Sequence, residues 1–234
     1  MRSTDGLRDQ LDLVRRRIQA AARRCGRPAE AVTLVGVTKG MPAETVQEAV
    51  RLGLSDVGEN RVQEADAKQQ VLGCLRPVRW HLIGHLQRNK AKLAAELFDV
   101  VHSVDSLALV DTLSRQAHAR PRPLEVLIQV NVSGEPATFG CRPEEAAGLT
   151  RVVQQAEPLT LRGFMTMAPF AENPEEARPH FRRLRQLRDD VLAACSLPPE
   201  AGRLSMGMSH DFEVAIEEGA DLVRIGTALF GPRA

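Results

Sequence analysis

One lysine directly follows an apolar, β-branched segment, and this position gives it chemistry that the other lysines lack. Residues 32–38 read VTLVGVT and lead into Lys39, whereas Lys68, Lys90 and Lys92 lie in polar, helix-like sequence. A lysine that is partly desolvated has a lowered pKa, so more of it is the neutral amine that attacks an aldehyde. We therefore predict that Lys39 forms a Schiff base and that the other three lysines are surface residues.

Two short segments near the end of the sequence combine glycine with small hydroxyl residues. Residues 205–209 read SMGMS and residues 224–227 read RIGT. Glycine lets backbone N–H groups approach a ligand closely, and phosphate sites in strand–helix barrels favour the loops after the last two strands. Ser209 is also predicted to cap a helix that begins near Asp211, which points the positive end of that helix at the same region. These segments together predict a phosphate cradle.

The elements that must position these residues follow a regular alternation. Apolar or β-branched runs are separated by helically periodic segments of about ten to fifteen residues, which is typical of parallel strand–helix units. The eight runs are TLVGV from Thr33, DVG from Asp56, WHLIG from Trp80, DVVHSV from Asp99, EVLIQVN from Glu125, LRGFMTM from Leu161, RLSMG from Arg203 and LVRIG from Leu222. The periodic segments include residues 44–52, 89–97, 107–117, 144–156, 175–194 and 211–218. This pattern predicts a (β/α)8 barrel of the TIM type.

Closure of such a barrel brings the first strand beside the eighth. Lys39 is then predicted to lie within about 10 Å of the phosphate cradle. This span fits pyridoxal 5′-phosphate (PLP), which carries an aldehyde at one end and a phosphate at the other. The alternative architecture is an open, doubly wound sheet. However, TKGMP follows the first strand where dinucleotide-binding folds have a glycine-rich fingerprint.

The first 28 residues predict an additional helix that packs on the barrel. Its apolar residues recur at spacings of three and four until Gly26 and Pro28 end the pattern. The arginines on its other faces, and those within residues 182–188, are predicted to form solvated surfaces and not a binding patch. No linker or shift in composition divides the chain, so residues 1–234 are predicted to form one domain.

Composition excludes several classes of partner. The formal net charge is +1 and aromatic residues make up 3% of the chain, which argues against nucleic acid or an acidic membrane as a partner. The four cysteines are widely spaced, and neither a secretory signal nor a membrane-spanning segment is recognisable, so a cytoplasmic protein with reduced thiols is expected. No metal site is predicted, because His81, His85 and His102 fit core or strand-end histidines better than ligands.

Five motifs carry a resemblance to a known family. They are VTKGMP at residues 37–42, GENRVQE at residues 58–64, WHLIGHLQRNK at residues 80–90, LSMGMS at residues 204–209 and VRIGTALFG at residues 223–231. In this order, and over nearly the whole chain, they resemble the pyridoxal-phosphate homeostasis protein family. The resemblance implies a monomeric PLP-binding barrel like the N-terminal domain of alanine racemase, of the type III PLP fold, without the second, β-rich domain of that enzyme.

The resemblance also implies roles for individual residues. It makes Lys39 the Schiff-base lysine and places Arg224 at the pyridine nitrogen of PLP. It places the following residues around the phosphate: Ser205, Gly207, Ser209, Gly226 and Thr227. The implied function is intracellular PLP homeostasis, in which the protein carries or delivers the cofactor through Lys39, without established catalytic turnover, to transient partners such as PLP-dependent apo-enzymes.

Two further strand-end residues are candidates, and three positions depart from the family pattern. Asn60 is predicted to contact the cofactor, whereas Ser103 is interpreted as a turn cap. Family members often have SKT where this chain has residues 38–40, an aromatic residue where it has Arg61, and a lysine where it has Thr138. The last difference leaves open whether Thr138 alters the transfer of the cofactor.

Two enzymatic alternatives remain at the level of sequence. A PLP-dependent amino-acid racemase or decarboxylase would use the same cofactor, and an aldolase-type enzyme would use Lys39 on a phosphosugar. Racemisation of the alanine racemase kind uses a lysine and a tyrosine on opposite faces of the substrate. The chain contains no tyrosine, which favours a carrier over a racemase.

Overall fold

Eight parallel strands close into a barrel in sequence order, with β1 paired to both β2 and β8. The computed structural model describes residues 4–73 and 78–231. The strands are β1 (Thr33–Val37), β2 (Asp56–Glu59), β3 (Arg79–Leu82), β4 (Val100–Val104), β5 (Leu124–Gln129), β6 (Leu159–Met165), β7 (Arg203–Ser205) and β8 (Leu222–Ile225). Each of the eight apolar runs in the sequence overlaps a strand. The predicted (β/α)8 barrel is therefore confirmed, and the open-sheet alternative is wrong because β1 and β8 pair.

Helices cover the outside of the barrel: the first precedes β1, the last follows β8, and the others connect successive strands. They are α1 (Thr4–Arg24), α2 (Ala43–Arg51), α3 (Val62–Leu72), α4 (Ala91–Leu97), α5 (Leu107–Ala117), α6 (Ala146–Gln155), α7 (Arg178–Ala194), α8 (Phe212–Glu217) and α9 (Thr227–Phe230). Short 3₁₀ turns occupy Ala29–Ala31, Arg88–Lys90, Pro143–Glu145, Pro174–Ala177 and Pro199–Ala201. Among the described residues, none of these helices is long and apolar enough to span a bilayer.

The alternation of side chains along each strand produces two separate apolar regions. The larger one lies between the strands and the surrounding helices. A smaller inner cluster, formed by Val35, Val100, Leu127, Met165 and Leu222, fills part of the barrel interior. The rest of the interior is polar, and the register shows why: Val35 lies opposite Asp56 on one side and Arg224 on the other. The barrel interior therefore combines packing with a polar site.

Helix α1 packs against α8 and α9, next to the seam where β1 meets β8. Its stripe of Leu7, Leu11, Val14 and Ile18 is buried as the spacing predicts. Charged contacts reinforce this packing, because Arg17 forms a bidentate pair with Glu213 at 2.8 and 2.9 Å. The first three residues of the predicted helix, and Cys74, lie outside the described residues.

The arginines of α7 confirm the predicted solvated face in part, because Arg182 and Arg183 are exposed, but each of them also has a fixed acceptor. Arg183 donates to the backbone carbonyl of Val132, and Arg188 donates to that of Gly202, at 2.8 and 2.9 Å. Arg182, like its neighbours Arg178 and Arg185, pairs with the carboxylate of Glu218. A long arginine side chain can cover apolar surface and still place its charged end on a fixed acceptor. These arginines therefore connect α7 to adjacent loops and to α8.

Candidate functional site

Lys39 lies in a tight turn at the carboxyl end of β1. The N–H of Met41 donates to the carbonyl of Thr38 at 2.9 Å, and Gly40 supplies the positive φ of 72° that the turn requires. The N–H of Thr38 extends the pairing with β2 by donating to the carbonyl of Gly58 at 3.0 Å. Lys39 itself is half-buried. The backbone on both sides of this lysine is thus held by hydrogen bonds.

Lys68 on α3 supports the same turn from outside the barrel. Its ammonium donates to the Thr38 carbonyl at 2.7 Å, to Glu59 Oε1 at 2.5 Å and to Glu64 Oε1 at 2.9 Å. Glu64 in turn accepts from the N–H of Gly40. The prediction that Lys68 is a surface residue is wrong, because its exposure is only 6%. We call Thr38, Glu59, Glu64 and Lys68 the turn anchor.

The turn anchor contains a fully buried carboxylate. Glu59 accepts from the hydroxyl of Thr38 at 2.5 Å and from Lys68, both on Oε1, while its Oε2 has no hydrogen-bond partner among the described residues. Burial raises the pKa of the Glu59 carboxyl, although the bonds from Lys68 and Thr38 act in the opposite direction. The ion pair with Lys68 is therefore the main interaction that offsets the cost of burying the negative charge of Glu59.

The loops after β7 and β8 meet at the hydroxyl of Ser209. Its oxygen accepts from the backbone N–H groups of Gly226 and Ala228, each at 3.2 Å. Two N–H groups, one directly after β8 and one in the first turn of α9, therefore converge on a single acceptor position. The predicted capping of the helix near Asp211 is wrong: α8 begins at Phe212, and Asp211 instead accepts from the N–H of Met208 at 2.6 Å.

Gly207 allows the loop after β7 to adopt a conformation that would be strained for a residue with a side chain. Its φ is +89°, and its carbonyl accepts from the N–H of Arg224 at 3.0 Å. An added Cβ would lie 2.5 Å from the Cβ of Ala215 and 2.9 Å from the Cα of Phe212. The loop between β7 and α8 therefore depends on glycine at this position.

We expect Gly207→Ala to destabilise the protein by about 1 to 3 kcal/mol, because the new methyl meets the Cβ of Ala215 and the Cα of Phe212 at a positive φ. Chemical denaturation of both proteins measures this difference. Gly148→Ala is the matched control, since a Cβ at Gly148 in α6 would meet nothing within 4 Å. Equal stability of Gly207→Ala and the parent would contradict the predicted clash.

Arg224 lies on β8 and is buried, with 3% exposure. One terminal nitrogen donates to the hydroxyl oxygen of Ser205 at 2.7 Å, and the other donates to the carbonyl of Thr166 at 2.8 Å. Burial lowers the pKa of Arg224 to about 10, so the guanidinium is still protonated at neutral pH. The predicted cofactor residues Arg224 and Ser205 are thus in contact, and the Ser205 hydroxyl is already engaged.

Two buried histidines extend this contact across the barrel interior. His102 Nδ1 lies 2.9 Å from Ser205 Oγ, and His102 Nε2 lies 2.9 Å from His81 Nδ1. His81 Nε2 then lies 2.8 Å from a carboxylate oxygen of Asp56. Both histidines are core residues, as predicted, and their ring nitrogens all have partners. No cluster of three potential metal-ligating side chains occurs within the part of the chain that the structure describes.

The burial of His102 predicts a pH dependence of stability. Burial, reinforced by the nearby His81 ring and the Arg224 guanidinium, holds the pKa of His102 well below its ordinary value of 6.5. The unfolded chain therefore binds a proton between these two pKa values while the native protein does not. The free energy of unfolding should decrease as the pH falls below about 6.5, by up to about 1.4 kcal/mol per pH unit from this group.

Urea denaturation between pH 5 and 7.5 measures this slope. His102→Gln should reduce it, because glutamine has no proton to gain in this range. His118→Gln, which changes an exposed histidine, should retain it. Parallel curves for His102→Gln and the parent would show that His102 does not contribute to the slope.

The other predicted residues occupy the same end of the barrel. Asn60 follows β2 and is half-buried, and Thr227 follows Gly226 and is exposed. Gly226 adjoins β1, since an added Cβ would lie 3.4 Å from Val37. Ser103 in β4 has a buried hydroxyl with no hydrogen-bond partner in the described ranges, so it is not the turn cap that the sequence suggested.

Residues of the loop after β5 are also placed near this end. Thr138, which stands where relatives often have lysine, is half-buried. The next residue, Phe139, stacks on the ring of His85, with ring centroids 4.0 Å apart. His85 is therefore an exposed, stacked histidine after β3 and, unlike His81 and His102, not part of the barrel interior.

Sequence reasoning misses the turn anchor and the chain of histidines. The turn anchor has one detectable signal, because Glu64 and Lys68 are four residues apart, a spacing typical of helical ion pairs. By contrast, Asp56, His81 and His102 are separated by more than twenty residues each. Only the barrel register brings them together.

The comparisons with known proteins agree over nearly the full length. A family model described as alanine racemase, N-terminal domain, matches residues 10–234. The pyridoxal phosphate homeostasis protein of Aquifex aeolicus (strain VF5) is 44% identical over 227 residues, which cover 96% of this chain and 97% of that protein. The protein of the same description from Pseudomonas aeruginosa is 47% identical over 218 residues, which cover 93% of this chain and 91% of that protein.

A solved structure with the same fold provides independent support. PipY of Synechococcus elongatus PCC7942, solved with PLP bound, has a TM-score of 0.82 and 36% sequence identity, and the match covers 96% of this chain and 100% of PipY. The resemblance carried by the five motifs is thereby confirmed. This chain belongs to the pyridoxal phosphate homeostasis protein family and contains the fold of the alanine racemase N-terminal domain.

Proposed function

We propose that this protein binds PLP at the carboxyl end of its barrel and carries or delivers the cofactor in intracellular PLP homeostasis. One observation carries the proposal: β1, which leads into Lys39, pairs with β8, which holds Arg224 and leads into the loop at Gly226. An amine, a cationic hydrogen-bond donor and a set of backbone donors thus lie at one end of adjacent strands. The named function of close relatives, and the PLP bound to PipY, support the same conclusion.

The side chains and backbone groups present fit the parts of PLP. A phosphate suits the loops after β7 and β8, because the N–H groups of Gly226 and Ala228 converge on one oxygen position, now filled by Ser209. We assign Gly207 and Thr227 to the same cradle. Ser205 contributes through Arg224, which its hydroxyl contacts. Asn60, at the end of the strand next to β1, is assigned to the ring.

When bound, PLP supplies an aldehyde that condenses with a lysine amine and a pyridine ring that withdraws electrons. Lys39 would hold the aldehyde end through its amine, within a turn whose backbone the turn anchor fixes. Arg224 would donate a hydrogen bond to the pyridine nitrogen. Since its pKa is about 10, Arg224 keeps its own protons at neutral pH and leaves that nitrogen unprotonated.

This arrangement favours a carrier over an enzyme. An unprotonated ring nitrogen weakens the electron withdrawal on which amino-acid chemistry depends. The chain also lacks tyrosine, which serves as the second base in racemisation of the alanine racemase kind. A PLP-dependent racemase or decarboxylase is the alternative function. The barrel that this chain shares with the alanine racemase N-terminal domain is the observation in its favour.

We further propose that the protein acts as a cytoplasmic monomer with PLP-dependent apo-enzymes as transient recipients.

Two measurements distinguish the carrier from the enzyme. Protein loaded with PLP is incubated with a panel of L- and D-amino acids while chirality, carbon dioxide and keto acids are followed. For a carrier, we expect at most one mole of product per mole of bound PLP. In parallel, the transfer of PLP to an apo-enzyme is compared with its release into solution. Multiple turnovers that Lys39→Ala abolishes would overturn the carrier proposal in favour of the enzyme, and transfer faster than release would support delivery.

A further inference from the structure

The hydrogen-bonded line through the barrel interior joins residues of five strands. It runs from Arg224 on β8 through Ser205 on β7, His102 on β4 and His81 on β3 to Asp56 on β2. Every member is at least 94% buried, and every link is between 2.7 and 2.9 Å long. We call these five residues the interior line.

The two ends of the interior line have fixed hydrogen-bonding roles. Arg224 can only donate, because a guanidinium has five N–H groups and no acceptor. Asp56 can only accept when ionised. Although burial acts to raise the pKa of Asp56, its bonds to His81 and Ser55 lower it overall, so the carboxylate is charged at neutral pH. The three residues between these ends can each donate one hydrogen bond and accept another.

These roles determine where each proton lies. The Asp56 carboxylate accepts from His81 Nε2–H, which leaves His81 Nδ1 as an acceptor for His102 Nε2–H. His102 Nδ1 then accepts the hydroxyl proton of Ser205. With that proton engaged, the Ser205 oxygen presents lone pairs to Arg224, which lies 2.7 Å away. In the reverse arrangement, His102 Nδ1–H would donate to Ser205, whose own proton would then need another acceptor.

We propose that Asp56, His81, His102 and Ser205 are positioning residues that orient the Arg224 guanidinium toward the pyridine nitrogen of PLP. The proposal rests on the PLP site proposed above. Because Ser205 is held as an acceptor, Arg224 is tethered at one nitrogen by Ser205 and at the other by the Thr166 carbonyl. The guanidinium plane therefore has one orientation before the cofactor binds. A preoriented donor loses less conformational freedom on binding.

Packing alone does not account for these residues. The same interior holds an apolar cluster of Val35, Val100, Leu127, Met165 and Leu222, so apolar side chains fit in this barrel. Replacing buried polar or ionic groups with apolar residues of similar volume is often neutral or stabilising. The interior line instead ends at the residue that faces the cofactor. We therefore assign it to the orientation of Arg224.

The proton arrangement can be tested directly. In protein labelled with ¹⁵N-histidine at pH 7.5, with and without PLP, we expect the rings of His81 and His102 to be neutral with the proton on Nε2. The variants His81→Gln and His102→Gln assign the signals. A proton on Nδ1 of His102, or a doubly protonated His81, would overturn the proposal, because His102 would then donate to Ser205 and no longer hold the hydroxyl proton away from Arg224.

The effect on the cofactor is tested by substitution. Ser205→Ala and His102→Phe should each weaken PLP binding about tenfold, because Arg224 loses a charged hydrogen bond or its fixed acceptor. Both should also shift the visible absorption maximum of bound PLP, since the donor at the ring nitrogen changes. His102→Gln should restore affinity and spectrum to near those of the parent, because its amide accepts from Ser205 and donates to His81.

Two controls separate possible outcomes. Thr227→Ala, at the phosphate end, should weaken PLP binding without shifting the absorption maximum, and the exposed His118→Gln should change neither. If the parent gives no visible band with PLP, the proposed function itself fails. If the parent gives that band while Ser205→Ala and His102→Phe retain its affinity and spectrum, the positioning proposal is overturned and the PLP site stands.

Discussion

Replacing Lys39 with alanine is expected to abolish the borohydride-reducible visible absorbance of the protein in the presence of PLP. Lys39 is the lysine at the carboxyl end of β1, beside β8 and its loop. Lys90 and Lys92 follow β3, which lies two strands away from β1, and Lys68 is committed to Glu59 and Glu64. The loss should therefore be complete, because no other amine at the site can form the covalent bond.

Absorbance spectra before and after borohydride, followed by mass spectrometry of the reduced protein, measure this effect. The parent should gain the mass of reduced PLP on the peptide that contains Lys39, whereas Lys39→Ala should gain none. Lys92→Ala, at an exposed position of α4, is the matched control and should behave like the parent. Circular dichroism confirms that each variant is folded. A reducible band of parental intensity in Lys39→Ala would exclude this lysine as the attachment site.

Lys68→Met is expected to destabilise the protein by about 3 to 5 kcal/mol, because it leaves a buried charge without its partner. The Lys68 side chain is 7% exposed and that of Glu59 is 0% exposed, so water cannot replace the lost ammonium. The Thr38 carbonyl also loses a donor at 2.7 Å, which loosens the turn that holds Lys39. PLP binding should weaken along with stability.

Chemical denaturation of the apo-protein measures the stability change without any contribution from the cofactor. Lys92→Met changes an exposed lysine to the same residue and should remain within about 0.5 kcal/mol of the parent. Adding Glu59→Gln to Lys68→Met should recover part of the loss, since the unpaired charge is then removed. A double variant no more stable than Lys68→Met would show that packing, and not the uncompensated carboxylate, determines the effect.

The barrel itself could be predicted because its strands are short apolar runs at regular intervals. Each run is bounded by polar or glycine-containing segments, and a β-branched strand such as TLVGV differs clearly from an amphipathic helix. Helix α3 was harder to recognise. Its sequence, VQEADAKQQVL, presents only small or scattered apolar residues, because the helix contributes Glu64 and Lys68 to the turn anchor as well as apolar residues to the core.

The site could be predicted only in part, for a physical reason. A glycine-containing loop and a lysine at the end of a strand can be recognised from the local sequence, because backbone conformation and strand position depend on neighbouring residues. The partners of a buried polar group depend on register. Lys68 resembles any lysine of a polar helix in the sequence, and its burial follows from the position of Glu59 on β2. The misassigned role of Ser209 has the same origin, since its hydroxyl bonds to a loop seventeen residues further along the chain.

The pairing of β1 with β8 determines when, during synthesis, the barrel can close. During synthesis the ribosome releases Lys39 well before Arg224 and Gly226. The contact of Arg17 with Glu213 likewise joins residues 196 positions apart, so β1 of the nascent chain has an unpaired edge until β8 emerges. Until β8 is in place, Lys39 lacks the neighbouring strand on which the proposed PLP site depends. On that proposal, the protein binds its cofactor only after the barrel has closed.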